Sequence, residues 1–131
     1  MEILVETVNL QKHYQIKSDI GIEKIIALED VNIKILKGET FGVIGESGSG
    51  KTTLGKTIIR LVEPTGGKIF FDDRDISELK EKQLRKFRSR FQIIFQDPYK
   101  SLNPRLTIGN SISEGISNDL SKNDKIDRTK E

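Results

Sequence analysis

The nine residues from Gly45 to Thr53 read GESGSGKTT. Three glycines, two serines, a glutamate, a lysine and two threonines cannot build a core. Their chemistry is polar and cationic, on a backbone free to take unusual conformations. They fit G-x-x-x-x-G-K-[ST], with Gly45, Gly50, Lys51 and Thr52 at the fixed positions. The glycines allow positive φ and close backbone approach. The N–H groups of Gly45, Glu46, Ser47, Gly48, Ser49 and Gly50 can then point into one hollow and bind phosphate oxygens. A helix beginning near Lys51, with Thr52 and Thr53 in its first turn, aims unpaired N–H groups and the positive end of its dipole at the same anion. Lys51 reaches the β- and γ-phosphates, and the Thr52 hydroxyl is placed to ligate Mg²⁺.

The cradle needs a strand before it and a helix after it. Thr40–Gly45 (TFGVIG) is a nearly continuous apolar run, as expected of a buried strand. Lys51 to Leu61 has helical spacing, with Leu54, Ile58 and Leu61 on one face, and EPTGG ends it. This context separates the cradle from a chance glycine-rich turn. The dinucleotide fingerprint G-x-G-x-x-G fails, because its last position is Thr53.

The flanking chain is antiparallel in character. Ile3–Leu10 and Leu28–Ile35 alternate as strands, QKHYQIKSDIGIEK between them reads as a loop or hairpin, and Lys37-Gly38-Glu39 turns the chain. KIFF is a strand and DDRD a turn. Ser77 is placed to cap a basic helix from about Glu78 to Arg88, with Leu79, Leu84 and Phe87 facing inward. Lysine at position 80 rules out a capping box. Phe91–Phe95 is a second buried strand, with Gln96 at its exit. A glutamine there either meets Mg²⁺ or an attacking water beside the γ-phosphate, or is a surface residue in a turn. Thr107 caps a short helix through Ile116, and the tail 117–131 is expected to fray.

Composition bounds the rest. A chain of 131 residues with 34% hydrophobic and 32% charged residues supports one domain with a core. No apolar run approaches the ~20 residues of a membrane span, and the first residues are too acidic and alternating for a signal peptide. The absence of cysteine excludes disulfides and thiolate metal sites, and the single histidine, His13, excludes a multi-histidine site. His13 itself reads as an exposed loop residue. A formal charge of +2 does not imply a polyanion partner. Arg74–Arg90 carries seven bases and three acids. Without a stacking series of aromatics or a recognition fold, this reads as a solvated helix face and not a nucleic-acid site.

Among phosphate-loop proteins, a GTPase is disfavoured: no D-x-x-G occurs, and SKNDK has the guanine-motif letters out of order. A P-loop kinase stays open on the cradle alone. GESGSGKTTLGKTIIRLVEPTGGKIFFDDRDI and LRKFRSRFQIIFQDPYKSLNPRLTIG, however, resemble the Walker A and Q-loop regions of ABC transporter ATP-binding subunits. Within that family the chain is most similar to the oligopeptide/dipeptide/nickel importer group, over about the first 115 residues. The resemblance implies an α/β P-loop fold: an antiparallel β-subdomain (about 1–40 and 66–76) against a partial parallel-sheet core. It implies ATP and Mg²⁺ as cofactors, Lys51 and Gln96 as catalytic groups, and Thr52 and Gln96 near the metal. It places Tyr14 where family members stack an aromatic ring on adenine. It implies transporter membrane subunits facing the segment after Gln96, a second ATP-binding subunit as dimer partner, and a cytoplasmic position on the inner face of the membrane.

The departures matter as much. The family's LSGGQ signature is absent, and SEGI at Ser113 is no substitute. Walker B, four apolar residues then Asp-Glu, is also absent; KIFFDD lies too soon after the cradle and QIIFQDP has an intervening glutamine. The switch histidine follows Walker B in the family, so His13 does not fill that role; a place lining the adenine pocket is the alternative to an exposed loop residue. The expectation is a truncated ATP-binding subunit of a peptide importer, residues 1–131 forming the N-terminal part of the domain. It would bind MgATP without turnover. The alternatives are a non-catalytic nucleotide-binding module and, more remotely, a P-loop kinase.

Overall fold

The computed structural model describes residues 2–19, 21–97, 103–114 and 116. It divides into two compact units, Met1–Phe91 and Gln92–Glu131. The expected frayed tail, 117–131, lies outside the described residues.

The first unit is built on a four-stranded antiparallel sheet in the order β2-β1-β3-β4. The strands are β1 (Ile3–Ser18), β2 (Gly21–Leu36), β3 (Gly66–Phe71) and β4 (Arg74–Asp75). Of the two readings of QKHYQIKSDIGIEK, the hairpin is the one found. Ladder pairs run from Ile3↔Leu36 to Ser18↔Gly21, so the strands extend well past the alternating cores at Ile3–Leu10 and Leu28–Ile35. The register slips between Thr7 and Leu10. There the buried Thr7 hydroxyl donates to the Val31 carbonyl (2.9 Å) and accepts from the Ile33 N–H (3.0 Å). One side chain thus satisfies groups that the broken ladder leaves open.

Helix α1 (Lys51–Ile58) and helix α2 (Glu81–Arg88) cover the sheet. Leu10, Leu28, Leu54, Ile69, Phe71, Ile76 and Leu84 form the buried core. Phe71 meets Phe87 and Phe91 edge-on, with ring centroids 6.2 and 4.5 Å away. The expected inward residues of the basic helix therefore face the core: Leu84 is buried, and Leu79 and Phe87 pack against it.

Ser77 does not cap that helix. It is buried, accepting from the Ile69 N–H (2.7 Å) and donating to Asp75 Oδ1 (2.6 Å). The helix starts later, at Glu81, where the Gln83 side chain accepts the Lys80 N–H (3.0 Å). An ammonium has no lone pair to return the bond, so this is half of a capping box.

Two expected strands do not form. Thr40–Gly45 and Phe91–Phe95 carry no ladder, and the parallel pairing of the core is absent among the described residues. Ile44 is 99% exposed and Ile94 96% exposed. A buried parallel strand needs hydrogen-bonded neighbours and covered faces, and no described segment supplies them. Apolar content alone could not reveal that. The class nevertheless holds: a strand pair precedes the phosphate loop and a helix follows it, with further strands and helices after that.

The second unit contains helix α3 (Ile108–Glu114). Thr107 Oγ1 accepts the Asn110 N–H (3.3 Å), the cap read from the sequence.

Candidate phosphate-binding site

The cradle forms where the sequence put it. Residues 46–50 turn the chain, and α1 begins at Lys51 with Gly50 as its N-cap at φ 90°. Gly48 has φ 82°. Both values lie in the left-handed region that only glycine enters at little cost. A Cβ on Gly50 would also meet the Ala27 carbonyl oxygen at 2.5 Å, so the loop is seated directly on β2. At the other end, a Cβ on Gly45 would lie 2.8 Å from Ser49 Oγ, inside the space the loop encloses.

Lys51 reaches back into this loop. Its ammonium donates to the Gly45 carbonyl (2.7 Å), to the Glu46 carbonyl and to Ser49 Oγ (3.3 Å). Three donors meet three acceptors contributed by the loop itself. The charge is thereby concentrated at the start of α1, beside the N–H groups that helix geometry leaves unpaired. Thr52 is exposed on the same turn, and Thr53 follows it half-buried. Leu54 and Thr57 anchor the helix from below; the buried Thr57 hydroxyl donates to the Thr53 carbonyl (2.7 Å). The hollow, the cation and the hydroxyl suit a polyphosphate carrying a divalent cation. Among the described residues, no three His, Asp or Glu side chains gather to hold a metal by themselves.

Tyr14 lies on β1 opposite Ile25. The residue is 38% exposed and lines an open groove with Lys12, His13, Gln15, Lys24 and Thr65. Lys12 Nζ stands 4.9 Å from the ring centroid, so one face of the ring carries a cation. The sequence reading missed Lys12; its K-x-Y spacing, which puts both side chains on one strand face, was the available signal.

His13 is not an exposed loop residue. It sits within β1, its side chain is 16% exposed, and Nε2 lies 2.5 Å from Glu29 Oε2. Gln96 belongs to the second unit, exposed on a bend after Phe95.

Comparison with known proteins gives the fold its family. Residues 28–131 match the family model described as ABC transporter. A Brucella ovis protein named for peptide import and ATP binding is 46% identical over 113 residues, 86% of this chain and 34% of that protein. The oligopeptide transport ATP-binding protein AppF of Bacillus subtilis is 44% identical over 117 residues, covering 86% of this chain and 36% of AppF. The chain thus spans about a third of the length of these relatives. Among solved structures, the ATP-binding cassette MJ0796, a dimer bound to ADP and Pi in a post-hydrolysis state, superposes with a TM-score of 0.76 at 30% identity. That match covers 96% of this chain and 54% of the cassette. Two glycines at positive φ, the lysine folded into its loop and the antiparallel hairpin beneath are parts of one architecture: the chain belongs to the ABC transporter family, with the α/β P-loop fold of its ATP-binding cassettes.

Proposed function

We propose that the chain binds MgATP through Gly45–Thr53 as part of the ATP-binding subunit of a peptide importer. The observation that carries this is the Lys51 ammonium lodged against the Gly45 and Glu46 carbonyls and Ser49 Oγ at the start of α1. The loop N–H groups and the helix dipole hold the phosphates, and Lys51 exchanges a loop carbonyl for a phosphate oxygen. Bound Mg²⁺ would neutralise phosphate charge, with the Thr52 hydroxyl as its contact in the first unit. The base stacks on the Tyr14 face away from Lys12. The peptide assignment draws on the names of the relatives.

The same reading gives the second unit its partner. An apolar groove lined by Pro104, Leu106, Ile108 and Ile112, with Ile108 78% exposed, supports contact of this segment with transporter membrane subunits. A second ATP-binding subunit completes the assembly, as MJ0796 pairs with its own copy. No helix among the described residues is long and apolar enough to cross a membrane. Contact with the membrane subunits would place the chain at the cytoplasmic face of the membrane.

Isothermal titration with MgATP and MgADP tests the site. Lys51→Ala should weaken both by ~1.5–3 kcal/mol, the scale of a charge-assisted hydrogen bond. Equal affinity of wild type and Lys51→Ala would remove the phosphate role.

A further inference from the structure

We propose that the cavity between the β3–β4 turn and the end of α2 is a second oxyanion site, one that takes a phosphoryl group on Arg74, Lys86 and Arg90. Local geometry brings the three cations together. Asp72 and Asp73 take φ 52° and 61°, the left-handed pair that a two-residue hairpin turn needs. The turn sets Arg74 opposite Phe71 in the ladder, so both side chains stand on one face of the sheet. Helix α2 packs on that face, where Phe87 meets the Phe71 ring edge-on at 6.2 Å. Lys86 and Arg90 are four residues apart at the end of α2, a spacing that makes them neighbours. The Arg90 N–H donates to the Phe87 carbonyl (2.9 Å) and continues the helical turn.

Asp72, Arg74, Lys86, Phe87 and Arg90 line an open cavity of about 210 Å³. Its charge is unbalanced, with three cations against one acid. The acid is already engaged, Asp72 Oδ1 with Lys37 Nζ (2.9 Å) and Oδ2 with Arg90 Nη1 (3.1 Å). The side chains of Arg74 and Lys86 have no hydrogen bond or ion pair among the described residues. Arg90 is held in place, its guanidinium 4.6 Å from the Phe71 ring centroid as well as on Asp72. Like charges kept this close repel, and an anion between them reverses the sign. Guanidinium forks match pairs of phosphoryl oxygens, and the ammonium adds a point charge. Phe87 gives the carbon side of a phosphate ester an apolar wall. The cavity shares no residue with Gly45–Thr53. The same phosphoryl chemistry occurs on soluble phosphate esters and on anionic lipid headgroups.

The test is amide NMR of the full chain titrated with inorganic phosphate. Signals from 72–75 and 84–91 report this cavity, and those from 45–53 report the phosphate loop. Saturable shifts are expected in the first set, and sodium chloride at matched ionic strength should not reproduce them. Arg74→Gln and Lys86→Gln should each weaken phosphate roughly three- to tenfold, between the scales of an exposed ion pair and a charge-assisted hydrogen bond. Neither side chain bonds within the fold, so both variants keep it. The double variant should not saturate. Sedimentation with phosphatidylglycerol vesicles, against phosphatidylcholine, then assigns the source. Pelleting that the double variant loses marks a lipid headgroup; pelleting that is absent, or unchanged in the double variant, marks a soluble ester. No saturable shift at 72–75 and 84–91, equal shifts with chloride, or full phosphate affinity in the double variant would each overturn the proposal, whatever the vesicles do.

Discussion

The α-carbon of Gly50 rests against the carbonyl oxygen of Ala27, so close that a Cβ at position 50 would stand 2.5 Å from that oxygen. The phosphate loop is therefore seated on the hairpin strand that also carries the partner of Tyr14. Ile25, opposite Tyr14 in the ladder, is two residues from Ala27, about 7 Å along a strand at ~3.3 Å per residue. Loop and ring are held by the same piece of backbone.

Gly50 and Gly55 should respond in opposite directions to alanine. Position 50 combines φ 90° with the backbone clash, and neither can be relieved by a side-chain rotation. Gly50→Ala is expected to destabilise by ~2 kcal/mol or more. Gly55 lies inside α1 with nothing within 4 Å of a new Cβ, so Gly55→Ala should stabilise by ~0.5–1 kcal/mol. Urea unfolding of the two variants checks the pair. Equal effects would contradict the close seat of the loop on β2.

The ring of Tyr14 should matter through its face, not its hydroxyl. Tyr14→Ala should weaken ATP by ~1–3 kcal/mol, and Tyr14→Phe should be nearly neutral. Lys12→Met should weaken it less than Tyr14→Ala, since the cation sits on the opposite face from a stacked base. Fluorescence titration of the three variants separates stacking from packing. An unchanged affinity in Tyr14→Ala would assign the ring to the hairpin alone.

The parts of this site legible in the sequence are those whose demands are local. GESGSGKTT draws on its own backbone freedom and the helix after it, and both formed, while the strand expected before it did not. The hairpin was one of two readings of Gln11–Lys24, because alternation fades where both faces of a ribbon are exposed. Ser77 looked like a cap because caps and buried turn hydroxyls share a residue type. Its Asp75 and Ile69 partners come from strand pairing, which no local pattern encodes. TFGVIG and FQIIF read as strands from apolar content. That content states what the segments can bury, while a ladder depends on neighbours.

Acid should weaken the fold through Asp72 and Asp75. Hydrogen bonding first to Lys37 and then to Arg90 holds the Asp72 carboxyl below the ordinary carboxylate range. For Asp75, burial pushes upward, but hydrogen bonds from the Ser77 hydroxyl and N–H, with Lys68 nearby, outweigh it and hold the group low. Lys37 is raised, by Glu2 first and Asp72 second. A depressed carboxyl stabilises above its unfolded pKa of ~3.9 and loses that contribution as pH falls through the lower folded value. A raised lysine stabilises below ~10.4 and loses it as pH rises through the higher folded value. The stability difference between wild type and Asp72→Asn should therefore be flat from about pH 5 to 9 and shrink below about pH 4. Urea midpoints across that range test it; a gap that widens in acid would have the wrong sign.

The sharpest prediction concerns turnover. The chain supplies Lys51, Thr52 and Gln96, but its 131 residues contain no stretch of four apolar residues followed by Asp-Glu and no LSGGQ. Phosphoryl transfer depends on groups that hold the metal, orient water and neutralise charge in the transition state. Losing one such contribution costs ~10³-fold or more, and losses within one catalytic unit are not additive. The 131-residue chain should therefore bind MgATP yet release no phosphate above background. A phosphate-release assay on purified protein checks this, with Lys51→Ala as the control for contaminating ATPases. Turnover that persists in Lys51→Ala would come from a contaminant. Robust turnover that disappears in Lys51→Ala would show that an acid already present, with Asp72 and Asp97 the first to replace by asparagine, does the work assigned to the missing residues.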